Sequence, residues 1–177
     1  MLKNKINSTK ITYLLTISIF SLTLFFNISH NANAATKKDG RIFGDWKISC
    51  NKEKDKKKQK CYAQQSISMK KDDKNVHIVT YQFFYEDKDL KILQILPQGI
   101  LLQPGTTFFA DKKTLTKSKF TVCQNQNCMA VGKVGKDELK EILSKDKIKL
   151  GVFNISGKQI NFEMSNKGLK KALNFIN

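Results

Sequence analysis

The chain has 177 residues, with 32 lysines and arginines against 15 acids, a net charge of +17 and only two histidines. Only His77 lies beyond the first 34 residues, so the rest of the chain cannot build a site on paired histidines, which covers most zinc hydrolases. So much positive charge predicts weak attraction to anionic surfaces.

The first 34 residues read as an export signal and stand apart from the fold. Lys3, Lys5 and Lys10 precede an almost wholly apolar run from Ile11 to Phe26, and Ala32-Asn33-Ala34 places small residues where a signal peptidase cuts. Cleavage after Ala34 is expected. The apolar run is shorter than the roughly 20 residues of a spanning helix, and no cysteine follows it for lipid attachment, so the product is expected to be soluble. Residues 35–177 make one domain of 143 residues. Because the leader carries three lysines and no acid, that domain retains a charge of +14.

After a polar lead-in to Gly40, Phe43 to Ser49 shows the alternating aromatic pattern of a strand. Asn51 to Lys60 holds six lysines, two acids and no apolar residue, so it reads as a solvated loop. Cys61 to Met69 and Val76 to Tyr85 predict a hairpin around Lys70 to Asn75. The second strand is apolar on both faces, with Val79, Tyr81 and Phe83 on one and Ile78 and Phe84 on the other, which suits a central position. The acidic stretch from Glu86 to Asp89 interrupts. Ile92 to Leu96 and Ile100 to Leu102 are short apolar runs on either side of Pro97-Gln98-Gly99, and Pro104-Gly105 is a turn signal. Thr106 to Ala110, Phe120 to Cys123 and Met129 to Val131 suggest further strands.

Helical spacing appears twice, in Leu139, Ile142 and Leu143 after Asp137, and in Leu169, Ala172, Leu173 and Ile176 after Ser165-Asn166. Between them, Lys147 to Val152 and Gln159 to Met164 alternate polar and apolar residues across a Ser156-Gly157-Lys158 turn, a hairpin signature. Many short strands with regular turns and no βαβ alternation predict a mainly β, antiparallel sandwich with one or two short helices.

All four cysteines, Cys50, Cys61, Cys123 and Cys128, follow the leader, an even number in a chain bound for an oxidising compartment. The sequence-local pairing, Cys50 with Cys61 and Cys123 with Cys128, closes the shortest loops and is expected. Cys50 and Cys61 are too far apart for a zinc knuckle. Cys123 and Cys128 lack the two-residue gap of a redox pair.

His77 is the sole histidine after the leader and reads as a strand histidine, with no Gly-x-Ser-x-Gly elbow beside it. Asp72-Asp73 and the Glu86, Asp87, Asp89 cluster are interleaved with lysine and read as turn charge, not a calcium loop. No phosphate-cradling or dinucleotide glycine motif is present. Trp46 and the phenylalanines at strand spacing read as core.

Taken in order, several segments resemble the invasion-associated locus B family of Gram-negative bacteria. They are Phe43-Gly44-Asp45-Trp46 with Cys50, then Cys61 with Gln64, then Leu96-Pro97-Gln98-Gly99-Ile100-Leu101-Leu102-Gln103-Pro104-Gly105. The Cys123 to Cys128 loop, the strand pair around Gly157-Lys158, and Ser165-Asn166-Lys167-Gly168-Leu169 running on to Leu173 complete the series. The resemblance implies an exported immunoglobulin-like β-sandwich of the periplasm or outer envelope, associated in pathogens with host-cell invasion and without established catalytic residues. The lysine-rich loop and the high charge depart from the family's pattern.

The expectation is therefore a non-enzymatic envelope protein, periplasmic or secreted, that works by binding an envelope or host-surface component without a cofactor or metal. An enzyme acting on an envelope polymer, which would show an acid pair converging in a cleft, is one alternative. A periplasmic chaperone, which would show an exposed apolar edge strand, is the other. Lys52, Lys54, Lys56, Lys57, Lys58 and Lys60 are the expected contacts with anionic polymers or membrane surfaces. Such binding is weak and shows no preference among nucleic-acid sequences, because lysine lacks arginine's bidentate fork and Arg41 is the only arginine.

Overall fold

In the computed structural model, which describes residues 39–52 and 59–177, ten strands and two helices follow one another. They are β1 (Ile42–Phe43), β2 (Trp46–Lys52), β3 (Gln59–Lys71), β4 (Lys74–Glu86), β5 (Asp89–Pro97), β6 (Thr106–Ala110), β7 (Lys113–Gln124), β8 (Asn127–Lys133), α1 (Lys136–Leu143), β9 (Lys147–Phe153), β10 (Gln159–Ser165) and α2 (Leu169–Ile176). The segment expected to be an export signal, and Lys54, Lys56, Lys57 and Lys58, lie outside the described residues. No described helix is long and apolar enough to cross a membrane.

Every strand pairing is antiparallel, in the order β1-β2-β3-β4-β5-β8-β7-β6-β9-β10. Strands β6, β7 and β8 are consecutive, and β5 lies beside β8, a Greek-key arrangement. Strands β4 and β6 stand four places apart in that order, so a flat sheet would separate them by about 19 Å. Yet the rings of Tyr81 on β4 and Phe108 on β6 have centroids 5.8 Å apart. The sheet is doubled over into two facing layers, the sandwich that the strand pattern predicts.

Strand β7 makes the fold-over. Its first half pairs with β6 in one layer and its second half with β8 in the other, and register shifts fall at Phe108/Phe109 and between Phe120 and Val122. Bulges of this kind bend and twist a strand, which is how one strand serves both layers. At the bend the core is polar. Gln94, Thr106 and Ser118 are all buried, and the Gln94 amide accepts from the Thr106 hydroxyl at 2.8 Å and donates to Ser118 Oγ at 3.1 Å. Each buried polar group thus has the partner that desolvation demands.

Elsewhere the interlayer space is apolar. Trp46, Ile48, Val79, Tyr81, Phe83, Ile92 and Leu96 from the first layer meet Phe108, Ile148, Leu150, Val152 and Met164 from the second. Strand β4 lies between β3 and β5, as its two apolar faces predict, with Val79, Tyr81 and Phe83 inward and Ile78 and Phe84 half-buried outside. Helix α2 lays Leu169, Ala172, Leu173 and Ile176 into the same core. Phe175 packs on Phe43, and the guanidinium of Arg41 lies over both rings, so the single arginine serves the fold through cation–π contacts.

Three strand expectations are corrected. Strands β3 and β4 run on to a two-residue turn at Asp72 and Asp73, whose positive φ angles of 48° and 58° suit a hairpin turn, so Lys70, Lys71, Lys74 and Asn75 belong to strands. Strand β7 begins at Lys113, not Phe120, because its inward residues include Thr116 and Ser118 and so carry little apolar signal. Ile100 to Leu102 make only an isolated bridge, Ile100 with Asn154, and Leu101 and Leu102 face solvent.

The Tyr81 hydroxyl is buried without a hydrogen-bond partner, and burial pushes its phenol above the ordinary 10.0. Removing an unpaired buried hydroxyl relieves a desolvation cost of about 1 kcal/mol. Tyr81→Phe is therefore expected to melt slightly higher at neutral pH. Because the folded-state value is raised, the wild type loses stability as pH climbs past the unfolded value, and the Phe variant escapes that loss. Thermal melts at neutral and alkaline pH check both, and a lower melting point at neutral pH would contradict the burial argument.

Candidate functional site

Each cysteine pair bridges facing residues of neighbouring strands, Cys50 with Cys61 between β2 and β3, and Cys123 with Cys128 between β7 and β8. Both Cα separations are 4.0 Å, so the sequence-local pairs stand at disulfide distance. Both staples lie within the first layer, unlike the bridge between sheets of an immunoglobulin domain. Of the lysines expected to make anionic contacts, Lys52 ends β2 and Lys60 lies in β3 next to Cys61.

His77 is exposed on the β3–β4 hairpin, with Nε2 2.7 Å from Thr80 Oγ1, which is itself 2.9 Å from Ser66 Oγ. This chain continues to Gln64 and Gln82 and includes no carboxylate. A hydroxyl and an imidazole without an acid to orient them do not make a nucleophilic relay. Among the described residues no group of three histidines, cysteines or acids could hold a metal ion. Asp72 and Asp73 tip a hairpin, while Glu86 pairs with Lys91 and Asp89 with Lys133, so these clusters are turn charge, as read from the sequence.

Two acids do share a cleft. Asp45 and Glu163 line a space of about 510 Å³ where the edge of β10 meets β3. Glu163 pairs with Lys147 at 2.8 Å, and that ammonium holds its carboxyl below the usual range, the opposite of what a proton donor needs. Asp45 accepts the Ser165 hydroxyl at 2.6 Å. The edge of β10 is also occupied there. The Gln65 side-chain amide accepts from the Ser165 N–H at 2.9 Å and donates to its carbonyl at 3.1 Å, replacing a neighbouring strand for one residue.

Charge is segregated along the strands. One end of the sandwich carries the β4–β5 turn, Asp111, α1 and Asp146, and with them most of the acids. Leu90 to Ala110, Lys112 to Lys136 and Lys147 to Phe162 contain no acid at all. These acid-free segments supply most of the outer face of the second layer. Register sets Lys117, Thr107, Gly151 and Asn161 in one row across β7, β6, β9 and β10, and Thr114, Phe109, Lys149 and Glu163 in the next. Gly151 floors a shallow hollow of about 360 Å³, since a Cβ there would press on the Phe109 ring and the Gln159 amide.

Among the described lysines, Lys112, Lys117, Lys119, Lys149 and Lys158 are exposed and make no ion pair within 4 Å, although Lys149 faces Glu163 across β9 and β10. The sequence holds the signal for this face in its three acid-free runs. Pairing rows across the strands cannot be read from it.

A family model for the invasion associated locus B (IalB) protein matches residues 46–177. Among solved structures, invasion associated protein B from Bartonella henselae superposes with a TM-score of 0.65 at 17% identity, over 77% of this chain and 92% of that one. No curated protein matches. At that identity the structural likeness speaks for the fold, and the family match spans nearly the whole domain. The chain belongs to the invasion associated locus B family.

Proposed function

We propose that the protein is an exported, invasion-related envelope component, periplasmic or at the outer surface, that works by binding anionic polymers or surfaces and not by catalysis. The observation that carries this reading is the acid-poor outer face of the second layer, where Lys112, Lys117 and Lys149 make no ion pair and the acids are Asp111 and Glu163 at its margin. Two cysteine pairs at disulfide distance fit an oxidising compartment. In the cleft shared by Asp45 and Glu163, Glu163 is kept ionised by Lys147, which speaks against an acid–base role there. The lysine-rich segment between Cys50 and Cys61 adds charge and is a second contact in this reading.

Attraction of this kind releases counterions, so affinity falls steeply with salt and shows little selectivity among anions. Titration of the protein against a soluble acidic polysaccharide at two salt concentrations tests it. Changing Lys112, Lys117 and Lys149 to Gln is expected to weaken binding several-fold at low salt, and changing Lys54, Lys56, Lys57 and Lys58 to Gln is expected to weaken it separately. Salt-insensitive binding, or strong preference for one polymer, would contradict the proposal.

A further inference from the structure

Eight large hydrophobic side chains are exposed among the described residues, and seven of them gather at one end of the sandwich. Met69 and Val76 face each other near the tip of the β3–β4 hairpin. Leu101 and Leu102 stand in the β5–β6 connection, Val122 near the β7–β8 turn, and Ile155 and Ile160 at and after the β9–β10 turn. Backbone hydrogen bonds hold these connections together. The Leu101 N–H donates to the Phe153 carbonyl at 2.7 Å, the Ile155 N–H to the Gly99 carbonyl at 3.2 Å, and the Gln98 N–H to the Gln126 carbonyl at 3.1 Å.

Exposed apolar side chains this concentrated mark an interaction surface. Among the described residues the same end has Asp72 and Asp73 as its only acids, between Lys70 and Lys74, and it carries the unpaired Lys119 and Lys158. Cations interleaved with protruding aliphatic groups match an anionic lipid surface, where aliphatic tips enter the headgroup boundary while ammonium groups stay among the phosphates. The aliphatic residues stand on four separate connections and form no groove. A fluid bilayer accepts such scattered tips without a matched shape, whereas a folded partner would have to match all four.

We propose that this end of the sandwich docks on an anionic membrane surface, with Leu102 and Ile155 entering the headgroup region and Lys119 and Lys158 paired with lipid phosphates. The proposal rests on the anionic-surface reading above and names its target and its contact residues. Ile155 is 74% exposed and Leu102 45% exposed, so replacing them by serine leaves the core untouched.

The test uses the protein as the cell exports it, with its N-terminus checked by sequencing, and vesicles of phosphatidylcholine with and without phosphatidylglycerol. The wild type is expected to co-sediment with the anionic vesicles and not the neutral ones. The Leu102→Ser, Ile155→Ser double variant is expected to bind anionic vesicles roughly tenfold more weakly, while its affinity for a soluble acidic polysaccharide stays unchanged. Equal vesicle binding by variant and wild type would overturn membrane docking and leave the electrostatic reading standing, as would a concentration-dependent dimer that the double variant abolishes. Failure of the wild type to bind either vesicles or polysaccharide would overturn both.

Discussion

Trp46→Ala is expected to cost about 4 kcal/mol, the usual range for deleting a buried aromatic side chain. Trp46 is fully buried, its ring lies 5.5 Å from that of Phe83, and its Nε1–H donates to the Ser165 carbonyl at 2.9 Å. That hydrogen bond joins residues 119 apart in sequence and ties β2, near the start of the domain, to β10, near its end. With total stabilities of about 5–15 kcal/mol for a domain, the loss leaves little reserve and lowers the melting temperature by more than about 10 °C. Trp46→Phe keeps most of the ring packing and loses the hydrogen bond, so about a third of the effect is expected. Thermal and denaturant melts measure both. An alanine variant within about 1 kcal/mol of wild type would mean that the two ends of the chain do not depend on this contact.

Gly168→Ala is expected to cost about 3 kcal/mol, because two penalties coincide. Gly168 has φ of +88°, a left-handed conformation that costs other residues about 1–2 kcal/mol, and a Cβ there would overlap the Phe43 carbonyl. Gly44 approaches the Lys167 carbonyl in the same way, and the Asp45 N–H donates to that oxygen at 3.0 Å. The two segments are pressed backbone to backbone, so an added methyl group parts them and breaks the hydrogen bonds of the seam. Gly157→Ala is the control, since φ is +74° there but nothing lies within 4 Å of the new Cβ. Its cost is expected to be the left-handed penalty alone. Equal destabilisation by both substitutions would refute the close approach.

This seam shows what a sequence conveys and what it withholds. Phe43 to Trp46 and Ser165 to Leu173 are among the segments that resemble the family's, and helical spacing rightly marks Leu169, Ala172, Leu173 and Ile176 as α2's buried face. That the two segments meet cannot be read from local pattern, because nothing in periodicity reports a contact across some 120 residues. Asn166, just before α2, makes another such contact, its amide donating to the Ile142 and Lys145 carbonyls at the end of α1.

The β9–β10 hairpin was legible because alternation is strict and one face is buried. The first half of β7 was not, because threonine and serine occupy inward positions and are satisfied by Lys133 and Gln94. Leu101 and Leu102 misled in the opposite direction, since an apolar run beside turn residues suggests burial and the fold leaves both outside. Two residues of the exposed cluster thus lie in a segment that resembles the family's.

The central claim is that an acid-poor, lysine-bearing surface does the binding, and mapping backbone amide shifts by NMR as an acidic oligosaccharide is added tests it most directly. The account predicts shifts along the outer rows of β6, β7 and β9, around Lys112, Lys117 and Lys149 and into the Lys158 turn, fading together as salt shortens the range of the field. Shifts confined to the cleft of Asp45 and Glu163, persisting at high salt, would contradict it and point to a shaped site at the seam instead.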